Sequence, residues 1–393
     1  MNAWTPQVFA PYPGHPDVLL ARVAARSAAF EGTSAADGDR VIVGSAAGHD
    51  REQVMRGARG ELLERIGNVM AGRAAEAGGG VVATRAELGV TAQAVLAPPA
   101  RPDGRCLWVR GRTVSGRPVY VAAATVFLQH RPPPGCEALP PAGSTGLASH
   151  TDRRSAARHA AWEVLERDLI RRSWYGLAGR PPRALAAAPD GPLGDLFEAQ
   201  GLVATAFAVP APPGAECVVV CLHRPDGTGQ TFGARCGPPD TVESLVGRAA
   251  YEALMVRWSM DSPVARATWE RWRGDGPPRT AVQHALWAYH RQDSLSLWKV
   301  AGAISVATAP VQATAPVQAA SPVQAASPVD PFDVLARHTG RDVVLVETDG
   351  TPARDAGVSV VRVLAPGALP LPSGPPPAGF EPASGHAHPH PFG

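Results

Sequence analysis

The sequence predicts a mixed fold of the α/β or α+β class, and three observations predict it. Three long segments repeat apolar residues at helical spacing. β-Branched runs flanked by turn residues lie around them. The two kinds of segment alternate along 393 residues, a length that accommodates one large domain or two ordinary ones.

Residues 1–30 read as an N-terminal segment, irregular at first and then mildly helical over "DVLLARVAARSAAF". "DRVIVGSAAG" predicts a strand and a small-residue turn. "DREQVMRGARGELLERIGNVMAGRAAEAG" predicts a strong helix, capped by Asp50 and fading at the glycines. "RCLWVRGRTVSGRPVYVAAATVFLQH" predicts two strands around a "VSGRP" turn. After a proline-rich stretch, a second helix is expected from about Asp152 to Trp174, with Thr151 or Asp152 as its cap. The segment from Gly201 to Gly237 predicts a pair of strands with an "RPDGTG" turn. A third helix follows, capped by Asp240 or Thr241, and further helical pattern spans "TAVQHALWAYHRQDSLSLWKVAG". The six-residue repeat in "TAPVQATAPVQAASPVQAASPVDP" is too rich in proline and alanine to build a core and reads as a linker loop over 307–331. A helix and two strands follow, then a proline-glycine tail over 372–393, from which little core is expected.

Net charge is +2, too small for a general binder of nucleic acid or of anionic membrane surfaces. Basic charge is almost all arginine, and Lys299 is the single lysine. No G-x-x-x-x-G-K-[ST] occurs, which excludes a Walker-type nucleotide site. The N-terminus lacks the basic and apolar regions of a signal peptide, and no apolar run approaches the ~20 residues of a membrane span. Of the five cysteines, Cys217 and Cys221 fall on one side of an apolar strand and read as buried core thiols, with Cys106, Cys136 and Cys236 scattered. Together these features read as a soluble, reduced, cytoplasmic protein.

The three helices share one set of charges. Glu61 and Glu64 lie one turn apart in "ELLER", and Glu163 and Glu166 repeat the geometry in "EVLER", followed by Arg65 and Arg167 respectively. In "GRAAYEAL", Arg248 and Glu252 stand four apart. Taken singly, each helix is better read as a solvated face with i,i+4 ion pairs. Taken together, two carboxylate pairs suit Mg2+, and arginines suit phosphate oxygens, so the charges suggest a nucleotide site of non-Walker type.

The ordered motifs resemble the YcaO family of ATP-dependent enzymes that modify peptide backbones. "AAGHDREQVMRGARGELLER" matches the spacing of the family's glycine-lysine-glycine turn and S-A-x-x-E-x-x-E-R helix. "GLASHTDRRSAARHAAWEVLERD" matches the second motif, which ends in E-x-x-E-R-D, and "RAAYE" matches R-x-x-x-E. The likeness spans roughly Val41 to the end and implies an α+β fold, with helices packed on a mixed or antiparallel sheet and ATP between helices. A YcaO-like domain over 31–393 is expected. The resemblance implies Glu61, Glu64, Glu163 and Glu166 as Mg2+ ligands, Arg65, Arg167 and Arg248 as phosphate contacts or organisers, and Glu252 as a support of the nucleotide site. Ala47, Gly57 and Ser155 stand where the family has a lysine, a serine and a glutamate that contact nucleotide.

The activity so implied is phosphorylation of an amide oxygen by ATP, which converts Cys, Ser or Thr of a ribosomal precursor peptide into thiazoline or oxazoline. Family alternatives are thioamide and amidine formation, or a degenerate, non-catalytic scaffold that binds precursor peptide or a sister enzyme. Azoline-forming members often end in Pro-x-Pro-x-Pro, and "HPHPFG" places Pro391 and Gly393 at the catalytic end of such a tail. The other reading of that tail is a disordered or weakly metal-binding His/Pro tract containing His386, His388 and His390. No domain resembling a leader-binding partner precedes the likeness, so a separate leader-peptide-binding protein is expected. A flavin-dependent azoline dehydrogenase and a second copy of the chain complete the implied partners.

Overall fold

A computed structural model describes residues 4–30, 40–91, 95–96, 104–139, 142–187, 189–300, 329–371 and 380–392. Strands β1 (Gln7–Phe9), β2 (Leu19–Arg26) and β3 (Val41–Gly48) form an antiparallel sheet in that order. The helical expectation for "DVLLARVAARSAAF" is therefore corrected. Ala21, Val23 and Ala25 are buried while Arg22, Ala24 and Arg26 are exposed, which is the period of a strand. Helix α1 (Arg51–Ala74) begins as expected, with the Asp50 carboxylate accepting Gln53 N–H at 2.8 Å. Its Val54, Ala58, Leu62, Ile66 and Val69 pack on Ala21, Val23, Ala25 and Ile42 of the sheet. Gly44 sets that spacing, because a Cβ there would fall on the Ala58 carbonyl and the Leu62 nitrogen.

The large sheet draws on two distant parts of the chain. Its first part is β4 (Val81–Ala83), β5 (Val95–Leu96), β6 (Cys106–Thr113), β7 (Pro118–Ala122) and, after a short helical turn α2 (Ala123–Val126), β8 (Leu147–His150). Helix α3 (Arg153–Trp174) follows, and Asp152 is its cap. A second antiparallel sheet contains β9 (Arg183–Ala184) and, beyond α4 (Gly191–Ala199), β10 (Val203–Val209), β11 (Glu216–His223) and β12 (Thr231–Gly237), in the order β12-β11-β10-β9. Residues 201–237 thus form three strands and not a pair, since the segment from Pro210 to Gly214 already breaks the first run.

Helix α5 (Val242–Met260) packs on this sheet. The Thr241 hydroxyl donates to Pro238 O at 2.7 Å and does not cap the helix through its side chain. Helices α6 (Pro263–Trp272), α7 (Ala281–Arg291) and α8 (Ser294–Leu297) form a small aromatic lobe. The PVQA repeat up to residue 328 lies outside the described residues. Helix α9 (Pro331–Thr339), β13 (Val344–Glu347), α10 (Thr351–Asp355) and β14 (Ser359–Leu364) then return to the large sheet, whose order is β5-β7-β6-β13-β14-β8 with β4 also on β6. Only β5 and β7 pair in parallel among the described strands. The class is therefore α+β with a mixed main sheet, as the resemblance implied, and not α/β.

Helix α3 lies at the centre. Its Ala157, Ala161, Leu165 and Leu169 share one buried cluster with Cys217 and Cys221 of β11 and with Val361 and Val363 of β14. All five thiols are free, and Cys217 and Cys221 are fully buried.

The end of the described chain also enters that cluster, which corrects the expectation of a tail with little core. Trp174 Nε1 donates to His388 O at 2.9 Å, and His386 Nδ1 donates to Trp174 O at 3.0 Å. His390 stacks on His284 at 3.8 Å. Phe392 is 3% exposed and meets Phe232 and Trp298 edge-on. Among the described residues these histidines form no group of three metal-ligating side chains. Lys299 lies beside the same seam, with Nζ 3.4 Å from His386 Nε2.

Candidate active site

Each of the three charged helices ties a glutamate back to the strand before it. Glu61 Oε2 accepts Ser45 N–H at 2.5 Å. Glu163 Oε2 accepts Gly146 N–H at 3.1 Å. Glu252 Oε2 accepts Ala234 N–H at 3.2 Å. Glu166 adds a fourth tie, from Cys236 N–H at 3.0 Å. Close packing makes this possible at both outer helices. Gly233 repeats the role of Gly44, since a Cβ there would fall on Ala249 O and Ala253 N of α5.

The carboxylates form a row. Glu64 is charge-coupled to Glu163 and Glu61, Glu163 is next to Glu166, and Glu166 is next to Glu252. Burial, then the charges of Glu163 and Glu61, push the Glu64 carboxyl well above the usual range. Burial also raises Glu163, against the pull of Arg167, the Gly146 N–H and Arg362. Glu166 is pushed up to about 7 by burial, with Arg167 and Arg235 opposing and Glu252 and Glu163 reinforcing. Its Oε1 is buried without a hydrogen-bond partner.

Arginines thread the row. Arg167 Nε lies 3.6 Å from Glu166 and 3.9 Å from Glu163, and its Nη2 lies 3.9 Å from Glu252. Burial works against the Arg167 charge, but Glu166, Glu252 and Glu163 outweigh it and hold the guanidinium above its ordinary range. Arg235 pairs with Glu252 through Nη1. Arg65 is turned the other way, toward Glu61 at 2.5 Å and Val43 O at 2.8 Å, so it organises Glu61. Arg362 of β14 faces Glu163 and Glu64, and burial lowers it to about 10.

A cleft of about 820 Å3 lies between the β3–α1 turn, the start of α4 and α5; it reaches the row at Glu252, and Glu61, Glu64, Glu163, Glu166, Arg65 and Arg167 are not among its lining residues. Arg248 and Glu252 line it, as does Arg235. So do Ala47 and Gly57, which place no polar side chain where the family has lysine and serine. Ser155 sits in the first turn of α3 and is not a lining residue; its N–H is held by Asp152 at 2.8 Å. Pro391 is buried and does not line the cleft, and Gly393 lies outside the described residues.

Glu61, Glu64, Glu163 and Glu166 supply only carboxylate oxygens, the donors a hard divalent cation takes. Like-charge crowding and the orphaned Glu166 Oε1 fit such an ion. Among the described residues, no three acidic, His or Cys side chains converge closely enough to hold one ion as they stand. The set is a row and not a closed cage.

Arg235 and Arg362 were not singled out from sequence. Each is a lone charge inside an otherwise apolar or small-residue strand, "TFGARCG" and "SVVRVL". Arg362 is buried and Arg235 half-buried, and a strand arginine so enclosed needs a partner, which was the available signal.

Residues 45–369 match the family described as YcaO cyclodehydratase, ATP- and Mg2+-binding. Among solved structures, YcaO from Methanopyrus kandleri bound with AMPPCP and Mg2+ is similar at 20% identity and TM-score 0.58, covering 92% of this chain and 85% of that one. A chain of the E. coli microcin synthetase McbBCD complex with pro-MccB17 bound is similar at 13% identity and TM-score 0.64, covering 100% and 98%. A heterocyclase in complex with substrate and cofactor is similar at 15% identity and TM-score 0.63, covering 93% of this chain and 50% of its own. No curated protein matches the chain. The family match extends over most of the chain, through all three charged helices, and ATP and Mg2+ are the cofactors that go with it: the chain belongs to the YcaO family.

Proposed function

We propose that the chain carries out ATP-dependent cyclodehydration of a ribosomal precursor peptide, turning Cys, Ser or Thr into thiazoline or oxazoline. The buried carboxylates that Arg167 joins to Glu252, itself a wall of an arginine-lined cleft, support this reading most. A peptide thiol or hydroxyl gives up its proton to solvent as its sulfur or oxygen adds to the preceding amide carbon, and the amide oxygen takes the terminal phosphoryl group of ATP as ADP leaves. Phosphate then departs with that oxygen, the amide N–H proton is lost, and C=N forms. Bound Mg2+ would supply neutralising charge for the phosphoryl group. The four glutamates would hold it, with Glu166 offering its orphaned oxygen. Arg248 and Arg235 would meet phosphate in the cleft, and Glu252 fixes Arg235.

A separate leader-binding protein would present the peptide, a flavin-dependent dehydrogenase would oxidise azoline to azole, and a second copy of the chain would complete the assembly. The similarity to a chain of a microcin synthetase complex with pro-MccB17 bound supports partner proteins and a peptide substrate. Among the described residues no helix is long and apolar enough to cross a membrane, and five free thiols suit a reducing cytoplasm.

The test combines the protein with its leader-binding partner, the precursor peptide and Mg2+ATP, and counts water losses by mass spectrometry. Glu163→Gln should bring both dehydration and ATP consumption to background. Ala47 and Gly57 favour a second reading, a scaffold without chemistry, because they strip polar contacts from the cleft. Peptide binding without ATP consumption by the unaltered protein would decide for the scaffold. Sulfur incorporation, or closure by an amine, would decide for thioamide or amidine chemistry.

A further inference from the structure

Arg362 is 3% exposed and is only partly satisfied. Its Nη2 donates to Gly143 O at 2.7 Å, and Nε and Nη2 reach Thr125 O at 3.4 Å. Its Nη1 is buried without a hydrogen-bond partner. The nearest opposite charges are Glu163 of α3 and Glu64 of α1, and neither takes a hydrogen bond from it among the described contacts. A second orphan, Glu166 Oε1, lies in the same row. Buried donors and acceptors left open together indicate a missing polar occupant.

The order of charges says which part of a nucleotide that occupant is. Arg248, Arg235 and Glu252 line the open cleft. Behind Glu252, Arg167 lies 3.9 Å from it, 3.6 Å from Glu166 and 3.9 Å from Glu163; Glu163 accepts Gly146 N–H, three residues from the Gly143 carbonyl that holds Arg362, and Arg362 itself stays behind the cleft wall. A polyphosphate entering past Arg248 and Arg235 would therefore meet Arg362 last.

We propose that Arg362 receives the terminal phosphoryl group of the nucleotide through its open Nη1 edge, and so makes the site distinguish nucleoside triphosphate from diphosphate. This rests on the nucleotide-site reading above. The test is calorimetric titration of the full chain with AMPPCP and with ADP, each with Mg2+. Arg362→Gln should weaken AMPPCP by about tenfold or more, the effect of losing a charge-assisted hydrogen bond, and leave ADP within about twofold. Arg362→Lys, which keeps the charge and loses the fork, should show the same selectivity at smaller size. It also serves if the glutamine variant does not fold. Unchanged binding of both nucleotides, or equal weakening of both, overturns the proposal and leaves Arg362 as a tether for the Thr125 and Gly143 carbonyls. Failure of the unaltered protein to bind either nucleotide overturns the nucleotide site itself.

Discussion

Glu166 combines a proton held unusually tightly with an oxygen that has no donor. Its folded value of about 7 lies above the ordinary 4.5. The folded state thus binds the proton more tightly than the unfolded chain between those values. The stability so gained is full below about pH 4.5 and is lost as pH rises through about 7, a swing of about 3 kcal/mol. Urea melts of the metal-free protein should therefore show stability falling from about pH 5 to about pH 8. Glu166→Gln, neutral throughout, should flatten that fall and be the more stable protein at the alkaline end. Superimposable pH profiles for the two proteins would show that Glu166 titrates normally. At this scale much was legible. Glu61, Glu64, Glu163, Glu166, Arg167, Arg248 and Glu252 all sit on helices, where i,i+3 and i,i+4 spacing reveals a shared face. Arg235 and Arg362 sit on strands that reach the row only through tertiary packing, so no local spacing marked them.

Two elements repeat one device. In "GSAAG" and "GARCG" a glycine lets the strand touch the following helix, and the next residue's N–H holds a glutamate from that helix. Overpacking at such a contact costs about 1–3 kcal/mol or more. Gly233→Ala should destabilise by at least that order and displace Glu252. Gly247→Ala, on the adjoining helix, adds a Cβ that meets nothing within 4 Å and should stabilise by about 0.5–1 kcal/mol. Thermal melts of the two variants compare them directly, and equal effects would mean that the strand–helix distance is not fixed by glycine. Helix α1 and helix α3 were readable because caps and apolar periods coincide at Asp50 and Asp152. Strand β2 was not, because alanine and arginine favour helix locally and only pairing with β1 and β3 selects the strand.

At the scale of the whole molecule, the site is drawn from three sheets. Helix α1 lies on the first, α3 on the main sheet and α5 on the sheet of β10–β12. The row exists only when all three are docked, and the core cluster around α3 includes Phe392. Phe392→Ala should destabilise by about 3–5 kcal/mol, read from denaturant midpoints. A loss within about 0.5 kcal/mol, the range of surface changes, would mean that the segment is peripheral. Composition alone suggested the opposite, since proline, glycine and histidine rarely signal core. One terminal phenylalanine against Phe232 and Trp298 outweighs that bias.

Lys299 makes that seam open to selective chemistry. As the single lysine of the sequence, it is the only side-chain amine an activated ester can acylate, besides the α-amine of the chain. A fluorophore joined to that amine is anchored at an atom 3.4 Å from His386 Nε2, beside Trp298 in sequence. Its emission would report whether residues 380–392 are seated, and would do so while peptide, nucleotide or a partner protein is added.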